Sequence, residues 1–89
     1  MRLSSKHRTT LQAIFDNPVR FDVEWKKIES LFFALGCELS EGRGSRIRVA
    51  LSDVRAVFHR PHPQKETDKG ALKSVRRFLK VAGITPSKM

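Results

Sequence analysis

The fold of this chain is decided by the stretch SRIRVALSDVRAVFH, residues 45–59. Apolar and polar residues alternate from Ser45 to Leu51, and a second strand-like run extends from Val54 to His59. A period of two predicts β-strands, and Ser52–Asp53 is long enough for a two-residue hairpin turn. The stretch therefore predicts an antiparallel hairpin.

That turn fixes which residues of the hairpin face each other. The pairs on one face are all apolar: Ile47 with Phe58, Val49 with Ala56, and Leu51 with Val54. On the other face Arg46 lies opposite His59, and Arg48 lies opposite Val57. A one-residue slip would turn one strand's apolar side chains to the wrong face, so we expect this register.

Helices are predicted on both sides of the strands, because apolar residues recur there at spacings of three and four. The expected helices are Lys6–Phe15 after a Ser4 or Ser5 N-cap, a second from an Asp22 N-cap to Leu35 before Gly36, and a third from a Thr67 or Asp68 N-cap to Ala82 before Gly83. A brief strand is expected over Cys37–Ser40.

The order α-α-β-β-β-α predicts an α+β fold, with helices packed on one face of a three-stranded antiparallel sheet. We expect a single domain over residues 1–89, comprising an additional N-terminal helix within 1–18 and a core over 19–86. Leu3, Leu11 and Phe15 favour packing of the first helix on that core, and whether it also meets a partner stays open.

The chain is strongly basic, with 18 Lys and Arg against 9 Asp and Glu, a net charge of +9 and a pI near 10.7. Such a charge selects polyanions, acidic proteins or anionic membranes as partners. No apolar run approaches the roughly 18 residues of a membrane span, and no signal-peptide core is present. We therefore expect a cytoplasmic protein that does not bind membranes.

The single cysteine excludes an intrachain disulfide and a Cys-rich zinc site. Cys37 is expected in the core rather than as a reactive thiol. His59 and His62 have no accompanying carboxylate cluster, so the sequence predicts no metal, no cofactor and no small-molecule ligand.

The last predicted helix carries a basic arc separate from its apolar one. The arc consists of Lys69, Lys73, Arg76, Arg77 and Lys80. No acidic residue lies between Lys69 and Gly83, which favours binding to phosphates or to an acidic partner over a merely solvated face.

The pairing of Arg46 with His59 suits RNA cleavage without a metal. An imidazole can take a proton from the 2′-hydroxyl or give one to the leaving oxygen. A guanidinium can hold the phosphate in a bidentate manner, and His62 could supply a second proton transfer. The alternative is that these residues are ordinary surface side chains.

Three stretches add a family resemblance: Ile28–Leu31 with Leu35–Gly36; Gly44–Ile47; and Pro61–Pro63 with Gly70–Lys73 and Ala82–Ile84. Together they resemble the HicA toxin family of type II toxin–antitoxin systems. The resemblance implies a double-stranded-RNA-binding-domain-like fold and an endoribonuclease, or mRNA interferase, that cuts mRNA. It also implies a HicB-type antitoxin that neutralises the toxin.

The chain departs from the family at its usual catalytic histidine, which follows Gly-Ser and is replaced here by Arg46. Arginine cannot act as a general base in a protein. Our hypothesis is that His59 transfers the proton while Arg46 holds the phosphate, with Arg43, Ser45 and Arg48 among the RNA-binding residues. His62 matches the family's histidine after the turn, whose role is either catalytic or structural.

Two further functions stay open. One is a non-catalytic RNA-binding module that kept the basic face after losing the family histidine. The other, a DNA-binding regulator, is disfavoured because no recognition helix stands out. RNA sequence preference, ribosome dependence and oligomeric state are not determined by the sequence.

Overall fold

The elements follow the expected order in the computed structural model, which describes residues 3–88. They are α1 (Ser5–Ile14), α2 (Trp25–Ala34), β1 (Glu38–Glu41), β2 (Arg46–Leu51), β3 (Val54–His59), α3 (Lys69–Val81) and a 3₁₀ turn (Pro86–Lys88). The sheet is antiparallel with strand order β1-β2-β3. The α+β class is confirmed, and the likeness to double-stranded-RNA-binding domains stays a prediction.

The hairpin has the expected register. Arg46 pairs with His59, Ile47 with Phe58, and each following pair continues to Leu51 with Val54. Ser52 in the turn has a φ of +54°, a left-handed conformation that two-residue hairpin turns require. Ile47, Val49 and Phe58 are buried, so the apolar face of the hairpin points into the core as predicted.

An aromatic cluster joins the sheet to two helices. The Phe58 ring of β3 lies with its centroid 5.8 Å from Trp25 and 5.9 Å from Phe32, both on α2. The Phe78 ring of α3 is 5.9 Å from Phe58 and meets it edge to face. Such contacts are worth about 0.5–1.5 kcal/mol each beyond the area they bury. The helices are therefore fixed to one face of the sheet through Phe58.

Helix α2 begins later than the sequence predicted, and Asp22 is not its N-cap. The carboxylate of Asp22 instead accepts hydrogen bonds from Arg20. Glu24 precedes the helix and stays extended because it forms an isolated antiparallel bridge with Glu66. The Trp25 N–H donates to the carbonyl of Lys65 at 3.0 Å, which completes this long-range contact.

The predicted glycine stops are confirmed. Gly36 and Gly83 have φ angles of +84° and +82°, the left-handed conformation that ends a helix. The Cys37 N–H donates to the carbonyl of Phe32 at 3.0 Å and so closes the end of α2. Strand β1 consequently begins at Glu38, one residue later than expected.

Helix α1 packs on the other two helices and is anchored by Arg76 of α3. Leu11 and Ile14 are buried. The Arg76 guanidinium donates to the carbonyl oxygens of Ile14 at 2.9 Å and Asp16 at 2.8 Å. The same group lies 5.8 Å from the ring centroid of Phe15. Two carbonyls at the end of α1 are thus satisfied by one side chain.

Across residues 3–88, the structure contains no helix with the length and apolarity needed to cross a membrane.

Replacing Arg76 by Met should destabilise the protein by about 2 kcal/mol, because two partly buried carbonyls lose a charged donor. Chemical denaturation measures this change. The matched control is Arg77→Met on the same helix, where the side chain is exposed and the expected change is within about 0.5 kcal/mol. Equal losses in both variants would contradict the anchoring role.

Cys37 should resist alkylation while the chain is folded. Burial raises the pKa of its thiol to about 11, so the reactive thiolate is scarce at neutral pH. We expect labelling by iodoacetamide at pH 8 only at the rate of unfolding, and fast labelling in denaturant. Rapid reaction of the native protein would show that the thiol is accessible.

Candidate functional site

The face of the sheet that points away from the helices is open to solvent, and its side chains are mostly basic. The exposed residues there are Glu38, Ser40, Arg46, Arg48, Arg55, Val57 and His59. Three cationic arginines and a histidine against one carboxylate make this face a surface for anions. We call Arg46, Arg48 and His59 the outer-face cluster.

Arg46 and His59 form the closest kind of pair that an antiparallel ladder offers. The Arg60 N–H donates to the carbonyl of Ser45 at 2.9 Å, so positions 45 and 60 are a hydrogen-bonded pair. The neighbouring positions 46 and 59 are therefore a non-hydrogen-bonded pair, whose Cα atoms lie about 4.5 Å apart. An imidazole and a guanidinium thus leave the sheet side by side, as the hairpin register predicted.

Gly42 keeps the space beside Arg46 clear. Its N–H donates to the carbonyl of Arg46 at 2.9 Å, and a Cβ placed on it would lie 3.0 Å from the Cβ of Arg46. This separation is tighter than an ordinary van der Waals contact, so a larger residue at position 42 would require Arg46 to move by a few tenths of an ångström. Arg43 and Ser45 are exposed in the same loop. The guanidinium of Arg48 donates to the carbonyl of Glu41 at 3.1 Å, which draws it toward this loop.

Arg60 ties the end of β3 to two other elements. Its guanidinium contacts Glu29 of α2 at 2.6 Å and Glu41 of β1 at 2.7 Å, with a second hydrogen bond to each carboxylate. The indole N–H of Trp25 also donates to Glu29. The hydrogen bonds that Arg60 donates, first to Glu29 and then to Glu41, raise the pKa of Arg60, and Arg60 lowers the pKa of Glu41. Both groups therefore stay charged at neutral pH.

The basic residues of α3 lie on a different surface from the outer-face cluster. Phe78 of α3 packs against Phe58 on the helix-covered face of the sheet. The exposed cations occupy the arc of α3 turned away from Phe78. This α3 stripe consists of Lys69, Lys73, Arg77 and Lys80. Arg76, part of the basic arc expected to bind phosphates or an acidic partner, is half-buried and donates to carbonyls at the end of α1.

His62 lies exposed in the loop after β3, between Pro61 and Pro63. Among residues 3–88, its imidazole has no hydrogen-bond partner, so no such bond fixes the loop to α3. The described part of the chain also holds no group of three or more His, Cys, Asp or Glu side chains arranged to bind a metal.

Two contributors to this site were not found from the sequence. The sequence predicted no role for Gly42, although its place opposite Arg46 follows from the β1–β2 register. It predicted none for Arg60 either, which directly precedes Pro61. One sequence pattern could have indicated a partner such as Arg60. Glu29 lies four residues after Trp25 and so on the same side of α2, where a carboxylate beside apolar residues needs a cationic or hydrogen-bonding partner.

The comparisons with known proteins concern the core and not the first helix. A family model described as HicA toxin of bacterial toxin–antitoxin matches residues 25–84, from the start of α2 to just beyond α3. No curated protein and no solved structure matches the chain. The family match includes the outer-face cluster and extends over well over half of the 89 residues. The chain belongs to the HicA toxin family and is a toxin of a toxin–antitoxin system.

Proposed function

We propose that this toxin is a metal-independent endoribonuclease that cuts mRNA at the outer-face cluster. The observation that carries the proposal is the pairing of Arg46 with His59 on an open, basic sheet face. It joins a group that can transfer a proton at neutral pH to one that binds phosphate. The family histidine is missing at position 46, and His59 restores an imidazole directly across the strand pair.

In the proposed reaction His59 takes the proton of a ribose 2′-hydroxyl. The 2′-oxygen then attacks the neighbouring phosphorus, and the bond from phosphorus to the 5′-oxygen of the next nucleotide breaks. Arg46 stabilises the negative charge that grows on the phosphoryl oxygens. The leaving oxygen receives a proton from His62 or from water, and the products are a 2′,3′-cyclic phosphate and a free 5′-hydroxyl. No step requires a cofactor.

The RNA would be held by Arg48 of the cluster and by Arg43 and Ser45 of the adjoining loop. The α3 stripe is separated from them by the sheet and by the body of α3, because Phe78 packs on the face opposite to the outer-face cluster. We therefore expect that a short RNA at the cluster does not reach the stripe. We assign the stripe to a longer stretch of RNA backbone, where contacts add affinity without touching the cut bond.

The family implies a toxin–antitoxin partner, and we propose a HicB-type antitoxin with an acidic surface. The net charge of +9 favours fast association with such a partner. We also propose that residues 1–89 act as one domain in the cytoplasm, with α1 as an addition to a core over 19–86. The contacts of Arg76 with the end of α1 support this.

The second candidate is a non-catalytic RNA-binding module. It is favoured by Arg46 standing where the family has histidine, and by the exposed His59, whose ring has no hydrogen-bond partner among residues 3–88 to orient it. Both candidates bind RNA with steep salt dependence. They differ only in whether RNA is cut.

Two assays decide between the candidates. One is cleavage of a labelled single-stranded RNA in EDTA, and the other is the growth of cells after each variant is induced at matched expression. We expect the wild type to cut RNA and arrest growth, and His59→Ala to lower the rate by about 10²–10⁴-fold, the usual contribution of proton transfer. The matched control is His7→Ala, on α1, where the ring bonds Ser4 and Ser30. It should cut RNA at the wild-type rate.

Cleavage retained in His59→Ala would remove His59 from the mechanism. Intact RNA and normal growth with the wild type would establish the binding module instead.

Neutralising the α3 stripe tests its assignment to the RNA backbone. Lys73→Gln with Arg77→Gln should weaken RNA binding and reduce the dependence of log Kd on log salt by about 0.7 per lost contact on single strands. The rate at saturating RNA should not change. An unaltered salt dependence, measured by fluorescence anisotropy, would show that the stripe serves another partner.

A further inference from the structure

We propose that Arg60 is a positioning residue that holds Arg46 and His59 in reacting geometry. This inference rests on the proposed ribonuclease function and adds a residue to it. Arg60 follows His59 directly at the end of β3, yet its side chain points to the other face of the sheet. There it meets Glu29 and Glu41, so it does not compete with the outer-face cluster for phosphate.

The ion pair with Glu41 connects the two strands that flank β2. Glu41 ends β1 and pairs with Ile47, whereas Arg60 leaves β3 and pairs with Ser45 through its own N–H. Arg46 is therefore held between two backbone bonds, from Gly42 on the β1 side and at Ser45 on the β3 side. The Arg60–Glu41 contact keeps both flanking strands in place at this end of β2.

The contact with Glu29 connects Arg60 to the core as well. Glu29 is the less exposed carboxylate, with 20% of its side chain accessible against 69% for Glu41. It also accepts the indole N–H of Trp25, a member of the aromatic cluster. The chain next to His59 is thus connected through Arg60 and Glu29 to the buried aromatic cluster.

Only arginine can make this double connection. Its planar fork serves both carboxylates at once, with hydrogen bonds of 2.6 and 3.2 Å to Glu29 and of 2.7 and 2.9 Å to Glu41. Lysine keeps the charge but concentrates it on one flexible ammonium. In a chain with only nine acidic residues, two of them bind this one guanidinium.

Arg60→Lys therefore tests position rather than charge. Small errors in the placement of catalytic groups cost up to about 10²-fold in rate, so we expect kcat on a labelled single-stranded RNA to fall about 10-fold or more. KM should stay within about 2-fold, because the cluster's own charges are unchanged. Glu41→Gln should lower kcat less, since Glu29 still holds the arginine.

The matched control is Arg20→Lys. Arg20 also binds two carboxylates, Asp16 at 3.2 Å and Asp22 at 2.8 Å, but in the segment between α1 and α2. Arg60→Lys should lower the unfolding temperature more than Arg20→Lys, because the Arg60–Glu29 pair is less exposed than the Arg20 pairs. Only the variant at position 60 should lower kcat. An equal fall in kcat in both, or no fall at position 60, would overturn the positioning role.

A second readout does not need activity. Amide hydrogen exchange at residues 46 and 60 should quicken several-fold in Arg60→Lys and stay unchanged in Arg20→Lys, because the ends of β2 and β3 lose their tie. Unchanged exchange at both positions would overturn the inference. If the wild type cuts no RNA while exchange responds as expected, the proposed ribonuclease function fails and the structural tie stands.

Discussion

The burial of Phe58 is the contact on which the rest of the structure depends. Its ring contacts aromatic rings of both α2 and α3, so this one side chain connects the sheet to both helices. Strand side chains alternate between faces, and burying Phe58 therefore turns its neighbour His59 outward. The same alternation places Ile47 inward and Arg46 outward beside it. Core packing and site geometry are two results of one register, and neither can slip without the other.

The local parts of this structure could be predicted from the sequence. The alternation across residues 45–59 predicts the hairpin and the pairing partner of each of its residues. The two helix-ending glycines predict the ends of α2 and α3. These features depend on residues a few positions apart, so propensity and spacing suffice. The pairing of Arg46 with His59 followed from the register alone.

The long-range parts could not be predicted. The start of α2 is set by the bridge between Glu24 and Glu66, which are 42 positions apart. Arg76 has the spacing of a surface cation on α3, but its guanidinium serves carbonyls near the end of α1. Arg60 joins carboxylates from two other elements. No periodicity identifies such partners, because tertiary folding alone brings them together.

The basic charge of the protein lies on two separate surfaces, and position 46 belongs to the one on the sheet. Where the family resemblance implies a histidine after Gly-Ser, this chain has arginine, which cannot act as a general base. His59 lies at the paired position on the neighbouring strand, so the outer face of the sheet carries an imidazole beside this guanidinium. The α3 stripe lies on another surface, so the residue at position 46 does not affect it.

The anchor of helix α1 has a consequence for how this protein can change over generations. Arg76 binds carbonyl oxygens, which every amino acid provides, rather than the side chains of Ile14 and Asp16. Drift at these acceptor positions leaves the anchoring bonds intact as long as the backbone path persists. Arg76 itself cannot be replaced without the loss of these bonds. These two bonds therefore depend on the identity of one residue of α3, inside the segment that the family model matches, and not on the side chains of Ile14 and Asp16.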